Sequence, residues 1–260
     1  MTLIALVSVG DAIVCMADSR TSDDTGSQTS STAIKSIVHH SHTASGAVSA
    51  IVTVAGRAYF TPGDDAANDP EPAIDVVAGA LDAASAQGLR SVRDVGEAIW
   101  PTIKNRMLSD CRSCREVNEG EPDDSEVDCD AGHGITLELA GFEHSVDGPV
   151  AMRYRRWWTR PDKIQFLPML PNSVYLSAQQ FHLQLNESNL PRIKDDASRP
   201  IESGGTVIRD LRKRFKEGVR DFRLKEEVGG MIRTTVLYPD GSVSAGEMDW
   251  EYDAHASTAE

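Results

Sequence analysis

Residues 3–17, LIALVSVGDAIVCMA, are two apolar, β-branched runs interrupted only by Gly10-Asp11. A Gly-X pair between such runs marks a two-residue hairpin loop. Both arms are apolar at successive positions, so both faces need cover and the hairpin belongs inside a sheet flanked on each side. Antiparallel pairing across a loop at 10–11 matches residues whose numbers sum to 21. That register sets Thr2 opposite Ser19 and Asp18 beside the start of the chain. A strict ladder turns the Asp18 side chain to the other face, and only fraying or a bulge changes that.

The rest of the chain is read as a series of shifts in period. Residues 20–33 are polar and turn-rich, a loop; IKSIVHHSHT (34–43) and AVSAIVTVAG (47–56) are strands. Residues 61–72 form an acidic, proline-containing loop. Ile74, Val77, Leu81 and Ala84 then fall at helical spacing, with Gly88 as a C-terminal stop. A second helix carries Val95, Ile99, Ile103 and Met107 on one stripe, capped by Ser91 and Asp94 and kinked at Pro101. Residues 110–132 are a long acidic loop. GITLELAGF and PVAMRYRRW are strands joined by a turn at 144–148, while the proline-containing stretch 161–200 has no clear period. Residues 205–224 have the pattern of a basic amphipathic helix, and GMIRTTVLYPDGSVSAGEM is a final hairpin turning at Pro239-Asp240-Gly241.

Clustered strands and clustered helices favour an α+β fold over a doubly wound one. A pair of antiparallel sheets between helix layers suits this order. The expected organisation is one domain over residues 1–248, with acidic insertions near 61–72 and 110–132, followed by an acidic tail over 249–260. A net charge of -14 argues against nucleic acid or an anionic membrane as partner. No apolar run approaches the ~20 residues that span a bilayer. No basic segment precedes the first apolar run, and four cysteines are too few for a disulfide scaffold, so the expected compartment is the reduced cytoplasm.

Chemistry concentrates at the front. Removal of Met1 gives Thr2 a free α-amino group, which titrates near ~8 and can take the proton of its own hydroxyl. A nearby lysine favours the neutral amine by charge repulsion, and a carboxylate holds that lysine in place. Lys35, on the next strand after the polar loop, is the candidate lysine and Asp18 its anchor.

Thr2, Ala17-Asp18-Ser19-Arg20 and Lys35, followed by IVTVAGRAY, resemble the proteasome β-subunit family, including its bacterial relatives of HslV type. The Thr-to-Asp spacing matches the family's, and Lys35 falls one residue later. Arg220-Asp221, Val228-Gly229-Gly230 and Asp240-Gly241 resemble that family's C-terminal segments. The resemblance implies the four-layer αββα sandwich of N-terminal-nucleophile hydrolases. It also implies a threonine-type endopeptidase in which Thr2 attacks, Lys35 and Asp18 set the local field, the Gly56 amide forms the oxyanion hole and Asp221 completes the site. Neither cofactor nor metal is needed. Implied partners are a peptide or unfolded-protein substrate, further copies in a homo-oligomeric ring and an ATP-dependent unfoldase. The serine that precedes the Gly-Gly pair in the family is Val228 here, which favours an inactive scaffold or binding subunit as one rival. An N-terminal-nucleophile amidase for a small metabolite is the other. Ser173 and Ser177 are the weak counterparts of the serine that assists the N-terminal amine.

Four further features have plainer readings. Cys111, Cys114, Cys129 and His133 could compose a Cys₃His zinc site, but no second closely spaced ligand pair supports it. RYRRWWTR (153–160) suits a strand edge or subunit interface better than nucleic acid in so acidic a chain. The basic run 211–225 reads as a solvated helix face, and His39, His40 and His42 receive no role.

Overall fold

The computed structural model describes residues 4–9, 11–19, 21–22, 28–30, 33–43, 46–56, 59–60, 71–84, 87–110, 135–157, 160–171, 173–177 and 230–249. The first strands are β1 (Ile4–Val9), β2 (Ala12–Asp18), β3 (Thr21–Ser22), β4 (Gln28–Ser30), β5 (Ser36–Thr43) and β6 (Gly46–Gly56). The short strands β7 (Tyr59–Phe60) and β8 (Glu71–Pro72) precede helices α1 (Ala73–Ala84) and α2 (Val92–Asp110). Then come β9 (Ile135–Ser145), β10 (Gly148–Trp157), β11 (Arg160–Pro168), β12 (Val174–Ser177), β13 (Met231–Leu237) and β14 (Val243–Asp249). The chain divides into two compact units, Met1–Lys35 with Met169–Glu260, and Ser36–Pro168. No described helix is long and apolar enough to cross a membrane.

These elements overturn the expected four-layer αββα sandwich. Among the described residues the chain is mostly β, and its two helices both lie in the second unit. Part of the difference lies in stretches whose strands are too short or too charged to show a period. Segments 21–22 and 28–30 pair within the presumed 20–33 loop, and β11 and β12 emerge from the unread 161–200 stretch. The helix expected over 205–224, the acidic segment 111–132 and the tail from 250 lie outside the described residues.

The first unit is built on a five-stranded antiparallel sheet in the order β12-β1-β2-β13-β14. Its β1–β2 register runs from Ile4↔Ala17 to Val9↔Ala12, every pair summing to 21 as the two-residue loop requires. All thirteen residues of the two strands are buried, on both faces. Burying side chains such as Ile4, Leu6, Ile13 and Met16 stabilises the sheet by about 1.5–3 kcal/mol each. β13 flanks β2 from Ile232↔Asp18 to Leu237↔Ile13. At the far edge, β14 carries the exposed Glu247 opposite Arg233, an ion pair of 3.2 Å. The β13–β14 turn closes with Gly241 N–H donating to the Tyr238 carbonyl at 2.9 Å, and Gly241 takes a φ of +82° that a side chain would strain.

The second unit has the sheet order β11-β10-β9-β6-β5 with both helices on it. Val95, Ile99, Ile103 and Met107 form the buried stripe of α2, as their spacing predicts. The Ser91 hydroxyl accepts the Asp94 N–H at 2.9 Å, and Asp94 reaches back to the Arg90 N–H at 3.1 Å. Glu143 on β9 accepts the Val92 N–H at 2.9 Å, fixing the helix start to the sheet. Gly96 is needed because a Cβ there would collide with the Tyr154 ring, lying 2.6 Å from its Cδ1. Gly141 is needed because a Cβ would lie 2.9 Å from the Ala50 Cα across the β6–β9 pair. β10 is an inner strand, so residues 153–157 of that stretch supply internal contacts in place of the strand edge expected for them. Tyr154 is fully buried, and burial pushes its hydroxyl up to about 12. Arg156 pairs with Glu97 at 2.8 Å and stacks 4.8 Å over the Trp100 ring. Next to Arg156 but on the opposite face, Arg155 lies over Trp157, and Arg153 pairs with the buried Glu138.

Candidate active site at the end of the first hairpin

β2 ends at Asp18, whose side chain is completely buried at the last pair of the β2–β13 ladder. A carboxylate placed there needs a partner, since an isolated buried charge is costly. Lys35 supplies it, its Nζ 2.8 Å from Asp18 Oδ1, and the lysine side chain is only 4% exposed. Burial lowers the Lys35 ammonium from its ordinary 10.5, and the neighbouring Asp18 carboxylate offsets part of that fall. The pair is therefore a titratable cation and its counterion held in a water-poor pocket of the first unit.

Backbone contacts hold both ends. Lys35 closes a non-strand segment, Ala33–Lys35, whose Ala33 N–H donates to the Ser19 carbonyl at 2.9 Å. The β2–β13 ladder stops at Asp18, and the next amide, that of Met231, donates to the Ser19 hydroxyl at 2.7 Å. Gly230, just before it, turns the chain with a φ of +77°. The sequence named Ser19 only as the residue opposite Thr2 and as part of Ala-Asp-Ser-Arg.

Of the five residues the sequence put forward, Asp18 and Lys35 are brought together. Gly56 ends β6 in the second unit, at Gly56↔Ile135, with a φ of +98°. Thr2 and Asp221 lie outside the described residues, as do Cys111, Cys114, Cys129 and His133. Among the described residues no group of three or more histidine, cysteine or acidic side chains is arranged to hold a metal ion. The two weighed serines separate by register. Ser177 stands opposite Ile4, at the Asp18 end of the sheet, whereas the Ser173 carbonyl accepts the Ser8 N–H at 3.3 Å near the other end. His39 is buried on β5, and its Nε2 has no hydrogen-bond partner among the described residues. His40, on the opposite face, meets the Ser49 hydroxyl through Nδ1 at 2.9 Å.

No protein-family model and no curated protein matches the chain. Solved structures do. The Anbu (Gly-1) mutant from Hyphomicrobium sp. strain MC1 superposes with a TM-score of 0.57 at 13% identity, covering 100% of this chain and 93% of that one. Anbu (ancestral beta-subunit) from Yersinia bercovieri gives 0.54 at 11% identity, covering 96% and 89%. These likenesses show a shared fold, that of a proteasome-like but distinct family. They overturn the expected kinship with HslV-type subunits, which rested on short motifs concentrated near the two ends of the chain.

Proposed function

We propose that the chain is a threonine-type peptidase on this proteasome-like scaffold, with Thr2 as nucleophile once Met1 is removed. The observation that carries the proposal is the buried Lys35–Asp18 pair at the Asp18 end of β2, opposite the beginning of β1. Thr2 precedes Ile4 by two residues, a reach of at most about 7 Å. The Thr2 hydroxyl adds to the substrate carbonyl while its own α-amine takes the hydroxyl proton. The amine then returns that proton to the departing nitrogen, leaving an ester on Thr2. Water, deprotonated by the same amine, hydrolyses the ester and regenerates the hydroxyl. The Lys35 charge, fixed by Asp18, keeps the α-amine in the neutral form that this cycle needs. Gly56 is the oxyanion donor on the pattern IVTVAGRAY, where donors of this kind are worth roughly 3 kcal/mol of barrier. Asp221 is assigned on its Arg-Asp pattern alone. Action on peptides or unfolded proteins, and assembly in a ring served by an ATP-dependent unfoldase, belong to the same proposal.

Intact-mass measurement and Thr2→Ala test it together. The expected result is loss of Met1 in the purified protein and cleavage of fluorogenic peptides that falls at least about 10³-fold in Thr2→Ala. Quantitative retention of Met1, or turnover unchanged by the substitution, overturns it. Electron microscopy of the assembled protein checks for the ring.

A further inference from the structure

The carboxylate and the ammonium of the candidate site come from segments of different kinds. Asp18 is fixed by the β2–β13 ladder, opposite Ile232, and follows directly on Ala17, the last β2 residue paired with β1. Lys35 hangs from Ala33–Lys35, which belongs to no strand, and its side chain has four rotatable bonds. An ion pair buried this deeply survives only with good geometry, so something must fix the backbone from which the lysine extends. We infer that Ser19 is the positioning residue that holds Lys35 against Asp18, by joining the Ala33–Lys35 segment and the first residue of β13 to the end of β2.

Three observations converge on it. The Ser19 carbonyl accepts the Ala33 N–H at 2.9 Å, two residues ahead of Lys35. The Ser19 hydroxyl accepts the Met231 N–H at 2.7 Å, so the orientation of the Ser19 peptide is set from β13. Ser19 itself is fully buried, so no water competes for either acceptor. A hydroxyl is required because the ladder has just ended: Ile232 faces Asp18, and no further backbone carbonyl of β2 is paired in register with Met231. Removing the hydroxyl frees the Met231 amide, lets the Ser19 peptide rotate and loosens the segment that carries Lys35. Water then reaches the ammonium. This role in catalysis rests on the Thr2 peptidase proposal; the positional role does not.

The test compares Ser19→Ala and Ser19→Cys with the wild type. Both keep the main-chain bond to Ala33, and sulfur is a poor acceptor, so the cysteine variant carries the test if the alanine variant does not fold. Protein labelled with ¹³C at lysine Cε reports the Lys35 titration directly by NMR. The expected result is a Lys35 midpoint moved up, toward 10.5, by about one pH unit, because burial is what lowers it. Peptide cleavage is expected to show kcat reduced about 10-fold with KM within about twofold. A Lys35 midpoint unmoved in the variants, with only thermal stability lowered, overturns the positioning role. If the wild type shows no Thr2-dependent cleavage, the peptidase proposal falls, and the lysine titration still decides the role of Ser19.

Discussion

Among the described residues each unit buries one carboxylate in its sheet, Asp18 met by Lys35 and Glu138 by Arg153 with Arg155 opposite it, and the two clusters are built differently. In the second unit Glu138 and Arg153 stand on adjacent strands, β9 and β10, well inside a continuous ladder. Thr53 adds a bond to the Glu138 carbonyl at 2.9 Å, so regular strands fix every partner. In the first unit Asp18 sits where a ladder ends, and Lys35 arrives from outside any strand. The first arrangement is what a sheet produces by pairing neighbours. The second needs a dedicated tie and uses a lysine whose titration burial has already moved. A buried ion pair held by regular strands is architecture; one assembled at a strand end, from an irregular segment, is a candidate for chemistry.

The comparison can be broken most forcefully by doubled apolar replacements. Asp18→Leu with Lys35→Met is expected to keep the fold and reduce peptide cleavage by about 10³-fold, roughly 4 kcal/mol of barrier. Glu138→Leu with Arg153→Met, combined with Arg155→Met because Arg155 also faces Glu138, is expected to keep both. Equal losses of activity at folded stability would erase the distinction. Single removals come next in size. Glu138→Leu or Asp18→Leu alone strands a buried cation, and either is expected to cost about 3–5 kcal/mol in urea unfolding. A loss below ~1 kcal/mol would show that water reaches the pair.

The pH dependence is smaller and has a definite sign. With its titration lowered in the folded state, Lys35 binds fewer protons folded than unfolded between its folded value and 10.5. Stability therefore rises with pH through that window and is lost as pH falls through the folded value. Unfolding curves of the wild type, less those of the Asp18→Leu, Lys35→Met protein, are expected to show this rise; a flat difference would refute it. The smallest effect belongs to the Arg233–Glu247 pair, whose glutamate is exposed. Glu247→Gln is expected to cost under about 1 kcal/mol, which separates the contribution of burial from that of charge pairing itself.

The hairpin was legible because a two-residue loop leaves one register, and β-branched runs leave one conformation. The α2 stripe was legible because Val95, Ile99, Ile103 and Met107 repeat at the helical period and Ser91 sits where a cap belongs. The Asp18–Lys35 pairing was legible only as a pattern of spacing, since sixteen residues separate the two. Strands β3, β4, β11 and β12 were not legible, because two to four residues show no period and β11, RPDKIQFLP, is charged and bounded by proline. The layered architecture was misjudged for a different reason: counting helical stretches does not say which sheet each helix covers. Ser19 escaped because its partners, the Ala33 and Met231 amides, are backbone groups that carry no sequence signal of their own.

The bond from Met231 to Ser19 joins residues 212 positions apart. A hairpin such as β1–β2 closes within ~10 μs of being made, whereas translation at about 5–20 residues per second separates Ser19 from Met231 by roughly 10–40 s. The Asp18 end of the hairpin is thus made long before the strand that completes its surroundings. A nascent chain carries Asp18 and Ser19 without β13, so completion of this buried cluster is timed by the length of polypeptide between them.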